Sequence, residues 1–252
     1  MDPELFKLPF DEAIAVLRDR LNVPEPLWAR IENEMTLVAF GIAGVTNAAM
    51  LADLRAIVDD FVANGTSFDD YSRQFQDVAQ RYGWQPKDGV SRRAAIVADA
   101  NLRTMHAAGR YRQMGQPEML EARPYWVWRH RDSPRPRPHH AAQNGRVYEA
   151  ADVMDLPIAL PSGFGCRCQW QSERKLPKGK KAPDRLPQER ISVTAKDGSV
   201  RSVPAVEVRD RQGNTKLVPL SDPGWNRTPR EMSDPSTHRA LLDRMAAMIP
   251  KE

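Results

Sequence analysis

His130, Asp132, Arg135, Arg137, His139, His140, Cys166 and Cys168 form the one dense group of chemically capable side chains in a chain of 252 residues. Zinc favours thiolate sulfur and imidazole nitrogen in a tetrahedral set, and His130 or His140 with the two thiols would supply enough ligands. The spacing speaks against it. Cys166-Arg167-Cys168 is not a Cys-x2-Cys knuckle, and no second pair stands at finger spacing. A nucleophilic reading would have Cys166 attack with His140 as its base. The plain alternative leaves both thiols packed in a strand around Arg167 and the histidines hydrogen-bonded locally. The residues alone favour this alternative, with no bound metal and no catalytic group expected, and with His130, His140, Cys166 and Cys168 kept as weak zinc candidates.

Other chemistries find no foothold. The chain has no phosphate-cradling glycine loop, no Gly-x-Ser-x-Gly elbow, no His-Glu-x-x-His pair and no dinucleotide fingerprint. Met35, Met50, Phe61 and Phe75 read as packing on helices. His106 reads as an ordinary helix residue. Lys175, Lys178, Lys180, Lys181 and Arg185 form a basic run. On one reading it is a solvated linker; on the other, its lysines join Arg135 and Arg137 as phosphate or partner contacts.

Charge is unevenly spread. Residues 1–100 carry 10 Lys/Arg and 16 Asp/Glu, residues 101–185 carry 16 and 8, and residues 186–252 carry 11 and 9, within a net charge of +4. The middle piece is therefore the one suited to nucleic acid phosphates or an acidic protein face. The two cysteines stand one residue apart, too close for an unstrained bridge, which suggests a reducing compartment. No stretch approaches the roughly 20 apolar residues of a membrane span, and the N-terminus lacks the pattern of a signal peptide. A soluble protein made in the cytoplasm is expected.

The elements that must position these groups fall into five stretches. Residues 1–90 read as a helical bundle: Phe10 to Leu21, then Leu27 to Val38, then a helix from Asn47 to Asn64-Gly65, then one capped by Ser67. A longer helix runs from Ser91 to Met114 and opens residues 91–170, a small α+β part. There Tyr125 to Trp128, Arg146 to Tyr148 and Cys166 to Trp170 read as strands around a Pro-rich loop. Residues 171–190 are a basic linker. Residues 191–220 hold two hairpin signals around Lys196-Asp197-Gly198 and Gln212-Gly213-Asn214. Residues 221–252 read as an extended arm and a terminal helix whose apolar stripe, with Leu241, Leu242, Met245 and Met248, could dock on this chain or on a partner. The fold class is α+β.

Several segments occur together in a recognisable order: Asn101-Leu102-Arg103-Thr104, Ala107-Ala108-Gly109-Arg110, Arg123-Pro124-Tyr125-Trp126, Asp132-Ser133, Arg137-Pro138-His139-His140, Gly145 and Gly163-Phe164-Gly165-Cys166-Arg167-Cys168. As a set the chain resembles the phage Mu F-like minor head proteins, most specifically over residues 91–170. Asp222-Pro223-Gly224-Trp225-Asn226 is similar to an arm that follows the domain in that family. The resemblance implies a virion component of a tailed phage or prophage, present in few copies near the portal and head interior. It would aid head morphogenesis, DNA packaging or ejection, with the portal protein, other head proteins and phage DNA as partners. Catalysis is not implied. Many relatives carry Cys-x-x-Cys and then His-x-x-Cys-Arg-Cys, suggesting a metal, and the matching positions here are Arg137, His140, Gly163 and Cys166. The resemblance thus implies a loop held without a metal, Asp132 pairing with an arginine such as Arg137 and His140 bonding locally. Asn101, Arg103, Arg110, Asp132, Arg137, His140, Gly145, Gly165, Cys166, Arg167 and Cys168 become structural motif residues.

Two other functions compete. A metal- or Cys-dependent hydrolase would use His130, Asp132, His140 and Cys166, as in toxins that carry this domain. A non-specific DNA-binding protein would use the basic middle stretch.

Overall fold

A computed structural model describes residues 14–15, 18–28, 37–131, 136–194, 200–209, 212–222 and 224–248. The fold is α+β, with helices beside small sheets. Two compact units are present: residues 1–109 with 238–252, and residues 110–237.

The first unit contains β1 (Leu21–Asn22), α1 (Glu25–Trp28), β2 (Ala39–Phe40), α2 (Ala48–Asn64) and α3 (Phe68–Arg81). It also holds most of α4 (Val90–Met114). Helix α2 begins where Asn47 accepts the Met50 N–H at 2.9 Å, and it ends at Gly65, whose φ of 65° is left-handed backbone that glycine adopts at least cost. Met50, Leu51, Leu54, Ile57 and Val58 recur at helical spacing and are all buried. Ser67 caps α3, and Tyr71, Phe75 and Val78 form its buried face. Tyr71 packs on Phe61 with ring centroids 4.6 Å apart and donates its hydroxyl to the Ala94 carbonyl at 3.1 Å.

Sequence reading missed a short parallel pairing: Ala39 and Phe40 pair with Leu21 and Asn22, where the apolar spacing predicts Leu21 at the end of a helix. Leu37, Val38, Ala39 and Phe40 are each buried, a continuous apolar run that a strand can hide on both faces and a surface helix cannot. The expected helices over Phe10 to Leu21 and Leu27 to Val38 lie mostly outside the described residues, as does Met35. The terminal helix is present as α9 (Pro235–Met248), and His238, Leu241 and Met245 are buried within this chain. Its stripe is used internally.

The second unit is built on a three-stranded antiparallel sheet in the order β4 (Val147–Glu149), β3 (Tyr125–Arg129), β5 (Gln169–Glu173). Helices α5 (Pro117–Ala122), α6 (Pro138–Ala141) and α7 (Ala150–Met154) lie along its connections. Trp126, Trp128, Tyr148 and Trp170 are buried at its centre. Tyr111 stacks on Trp126 at 5.9 Å and Trp170 meets Trp128 edge-on at 5.1 Å. Rings of this size, in offset or edge arrangements, dominate the apolar contribution of a small core. The Tyr111 hydroxyl donates to the Leu160 carbonyl at 2.9 Å and accepts the Leu160 N–H at 2.7 Å. It thereby pins an irregular segment to the sheet.

The two hairpin signals merge. Strand β7 (Val200–Arg209) is long enough to pair with β6 (Arg190–Thr194) at one end and β8 (Thr215–Pro219) at the other, giving one meander. Beyond it the described residues carry no regular structure before α8 (Pro229–Ser233), and Leu220, Ser221 and Asn226 on this stretch are buried. The extended arm is thus a strap folded onto its own unit.

Candidate functional site: a buried histidine–cysteine cluster

Sheet register brings the first pair of groups together. Strands β3 and β5 match Trp128 with Trp170 and Arg129 with Gln169, so one further antiparallel step sets His130 opposite Cys168. The His130 Nδ1 lies 3.2 Å from the Cys168 sulfur, and the His130 N–H is held by the Asn144 side-chain oxygen at 3.0 Å. Cys166-Arg167-Cys168 alternates buried, exposed, buried, as a strand would, but β5 begins only at Gln169. The expected strand is shorter because Gly163, Phe164 and Gly165 turn the chain there: the Cys166 N–H returns to the Gly163 carbonyl at 3.1 Å and Gly165 has φ 68°.

Helix α6 supplies the third group. Pro138 stands in its first turn, where a missing N–H costs nothing, and the turn aims His140 inward. The ring is buried. Its Nε2 lies 3.1 Å from the Leu220 carbonyl and 3.3 Å from the Ser162 hydroxyl. A carbonyl only accepts, so Nε2 carries a proton toward Leu220. Nδ1 faces both sulfurs, with Cys166 at 3.7 Å and Cys168 at 3.8 Å. His140, Cys166 and Cys168 thus form a compact set with ligand atoms within 4.8 Å of one another.

The two thiols are free and unequal. A hydrogen bond from Cys168, aided by His140, lowers Cys166 to about 3 against the opposing effect of burial. Sharing that proton with Cys166, together with burial, pushes Cys168 upward. The pair therefore holds one proton between two sulfurs. Trp128 Nε1 is buried without a hydrogen-bonded partner atom, while its proximity to Cys168 favours a thiolate there. Beside the cluster, burial lowers His139 to about 4, with His140 and Arg137 adding to the effect.

Asp132, the expected partner of Arg137, and Arg135 lie outside the described residues. Among the described residues the Arg137 guanidinium donates to Asp222 at 2.7 Å and to the Phe164 carbonyl at 3.0 Å. These bonds tie Arg137 to the strap while leaving its side chain partly exposed. The strap is tied further by the Asp222 N–H to the Ser162 carbonyl at 2.8 Å and the Ala159 N–H to the Arg227 carbonyl at 2.9 Å.

The other motif residues make local contacts. Asn101 donates to the Val97 carbonyl at 2.8 Å and accepts from Arg20 at 3.2 Å. Arg103 pairs with Asp99 at 2.7 Å, and Arg110 donates to the Trp170 carbonyl at 3.4 Å. Gly145, with φ 80°, donates its N–H to the Trp128 carbonyl at 2.9 Å. Arg167 is exposed, as are Lys175, Lys178, Lys181 and Arg185. Lys180 pairs with Asp184, whose carboxylate also accepts the Val147 N–H at 2.7 Å, anchoring the basic stretch beside β4.

Sequence reading missed Ser162 and Leu220 as partners of His140, and Asp222 as the partner of Arg137. None carries a periodic signal, although Asp222 stands in a segment already singled out.

Residues 52–171 match the family described as Phage Mu protein F like protein. The chain is 30% identical over 144 residues to the Mu-like prophage FluMu F protein of Haemophilus influenzae, covering 53% of this chain and 34% of that protein. It is 28% identical over 177 residues to the protein of Escherichia phage Mu named "Putative capsid assembly protein F", covering 65% of this chain and 40% of that one. The matched stretches thus span well under half the length of either relative. No solved structure matches. The buried sheet aromatics Trp126, Trp128, Tyr148 and Trp170, the His140 turn and the Cys-Arg-Cys segment all lie inside the stretch over which the chain is similar to the Mu F-like family.

Proposed function

We propose that the chain is a minor head protein of a tailed phage or prophage, a non-enzymatic part of head assembly placed near the portal. The observation that carries this reading is the match across residues 52–171, shared with a phage Mu protein whose name refers to capsid assembly. The site supports it physically. His140, Cys166 and Cys168 are buried and bonded to one another, an arrangement suited to holding a module together rather than meeting a substrate.

The exposed Lys175, Lys178 and Lys181 offer the docking surface, with Arg185 beside them. Their charge suits an acidic face of the portal protein, another head protein or the DNA that passes through it. No helix among the described residues is long and apolar enough to cross a membrane. A deletion strain tests the reading. Loss of filled heads, restored by the wild-type chain supplied in trans, is expected; normal head numbers without the chain would overturn it.

A further inference from the structure

We infer that His130, His140, Cys166 and Cys168 are the four ligands of a structural zinc ion. The inference stands on geometry independent of the proposed function.

Zinc–sulfur bonds of about 2.3 Å and zinc–nitrogen bonds of about 2.0–2.1 Å at tetrahedral angles place sulfur and nitrogen ligands about 3.5 Å apart. The His140 Nδ1 stands 3.7 and 3.8 Å from the two sulfurs, close to that spacing and looser than a thiol–imidazole hydrogen bond needs. The compact set of His140, Cys166 and Cys168 supplies three corners. His130 touches the set at Cys168, 3.2 Å away, but stands outside the compact group of three, so it would turn inward to become the fourth.

The surroundings fit a metal-bound histidine. A ligating imidazole usually donates its other N–H to a carbonyl or carboxylate, which fixes the ring and the tautomer. His140 does this through Nε2 to the Leu220 carbonyl, leaving Nδ1 for the ion. The Ser162 hydroxyl, 3.8 Å from the Cys166 sulfur, and the unpartnered Trp128 N–H beside Cys168 are donors of the kind that settle on metal-bound thiolates. Two thiolates and two neutral imidazoles around a divalent ion make a neutral unit, the charge state that burial tolerates best. The Cys-x-Cys spacing works because strand-like alternation turns both sulfurs inward while Arg167 points to solvent. A Cys-x2-Cys knuckle meets the same need with a turn.

Such an ion would fasten the end of β3, helix α6 and the entry to β5 at one point. Through Leu220 it would also reach the strap, so the unit would be clamped where it has the least regular structure.

The test uses the full chain, purified under reducing conditions and analysed for zinc, then reloaded with cobalt(II). One zinc per folded chain is expected, and a cobalt spectrum with thiolate charge-transfer bands and the intense visible bands of tetrahedral cobalt. His130→Ala, at the rim of the cluster, should leave the fold intact, alter the cobalt spectrum and weaken zinc binding by more than the roughly 10–100-fold that losing an outer-shell partner costs. Cys166→Ser/Cys168→Ser should bind no zinc. A folded wild-type chain without zinc, or with weak six-coordinate cobalt bands, overturns the inference, as does zinc retained in the double variant. An unchanged spectrum in His130→Ala removes His130 from the set.

Discussion

Arg137 and Asp222, 85 residues apart in sequence, form an ion pair of 2.7 Å that passes directly over Gly163. A β-carbon at Gly163 would fall 2.7 Å from the Asp222 carboxylate carbon and 2.9 Å from the Arg137 guanidinium. A side chain at Gly163 would therefore push this ion pair aside.

Gly163→Ala should push the pair apart at a cost of about 0–1 kcal/mol, because the atoms a β-carbon would meet are the far ends of two flexible, partly exposed side chains. Asp222→Ala gives up the same pair and should cost about as much, so the two losses should not add in the double variant. Thermal or urea unfolding of the three variants checks this. Additive losses contradict it.

Tyr111 makes a different prediction because its hydroxyl serves both the N–H and the carbonyl of Leu160 in a buried place. Tyr111→Phe keeps the stack on Trp126 but strands two backbone groups, so a loss of about 1–3 kcal/mol is expected. Hydrogen exchange should quicken at Leu160 ahead of the β3–β5 ladder.

Asp234 caps α9 with hydrogen bonds from Thr237 and Ser236, which hold its carboxyl at about 2, below the ordinary carboxylate near 3.9. A depressed folded value means the stabilisation is fully present above about pH 4 and is lost as pH falls toward about 2. Asp234→Ala should therefore be less stable than wild type by about 1 kcal/mol at neutral pH, with the gap closing in acid. A gap unchanged between pH 7 and pH 2.5 would contradict the assignment.

The exposed lysines make a prediction about partners. Lys175→Glu/Lys178→Glu/Lys181→Glu should unfold like wild type and yet enter heads poorly. If the partner is DNA, duplex affinity of the wild type should fall steeply with salt, with a slope of about −0.9 per phosphate contacted, and the variant should show a shallower slope. Salt-independent binding would point to a protein partner instead.

Much of the helical architecture was legible because local signals coincide with tertiary need. Asn47 and Gly65 bracket α2, Ser67 opens α3, and the apolar spacing between them predicts the buried faces. Gln212-Gly213-Asn214 likewise marked the β7–β8 connection, while Lys196-Asp197-Gly198 lies outside the described residues, between the paired Thr194 and Val200. The site was legible only as composition: His140, Cys166 and Cys168 were singled out together, but the contacts that join them were not. What short windows of sequence lack is register. His130 meets Cys168 through the β3–β5 ladder, and Arg137 meets Asp222 through a strap with no period of its own. Neither relation is encoded within any short window of sequence. The β1–β2 pairing escaped for the opposite reason, since Leu37 to Phe40 is apolar at every position and fits helix or strand equally.

The assembly role is tested most directly by quantitative mass spectrometry of purified heads from a strain producing the wild-type chain. The chain should be present in heads at a fixed number of copies well below that of the major capsid subunit. Its absence from heads, while abundant in the same cells, would contradict the account.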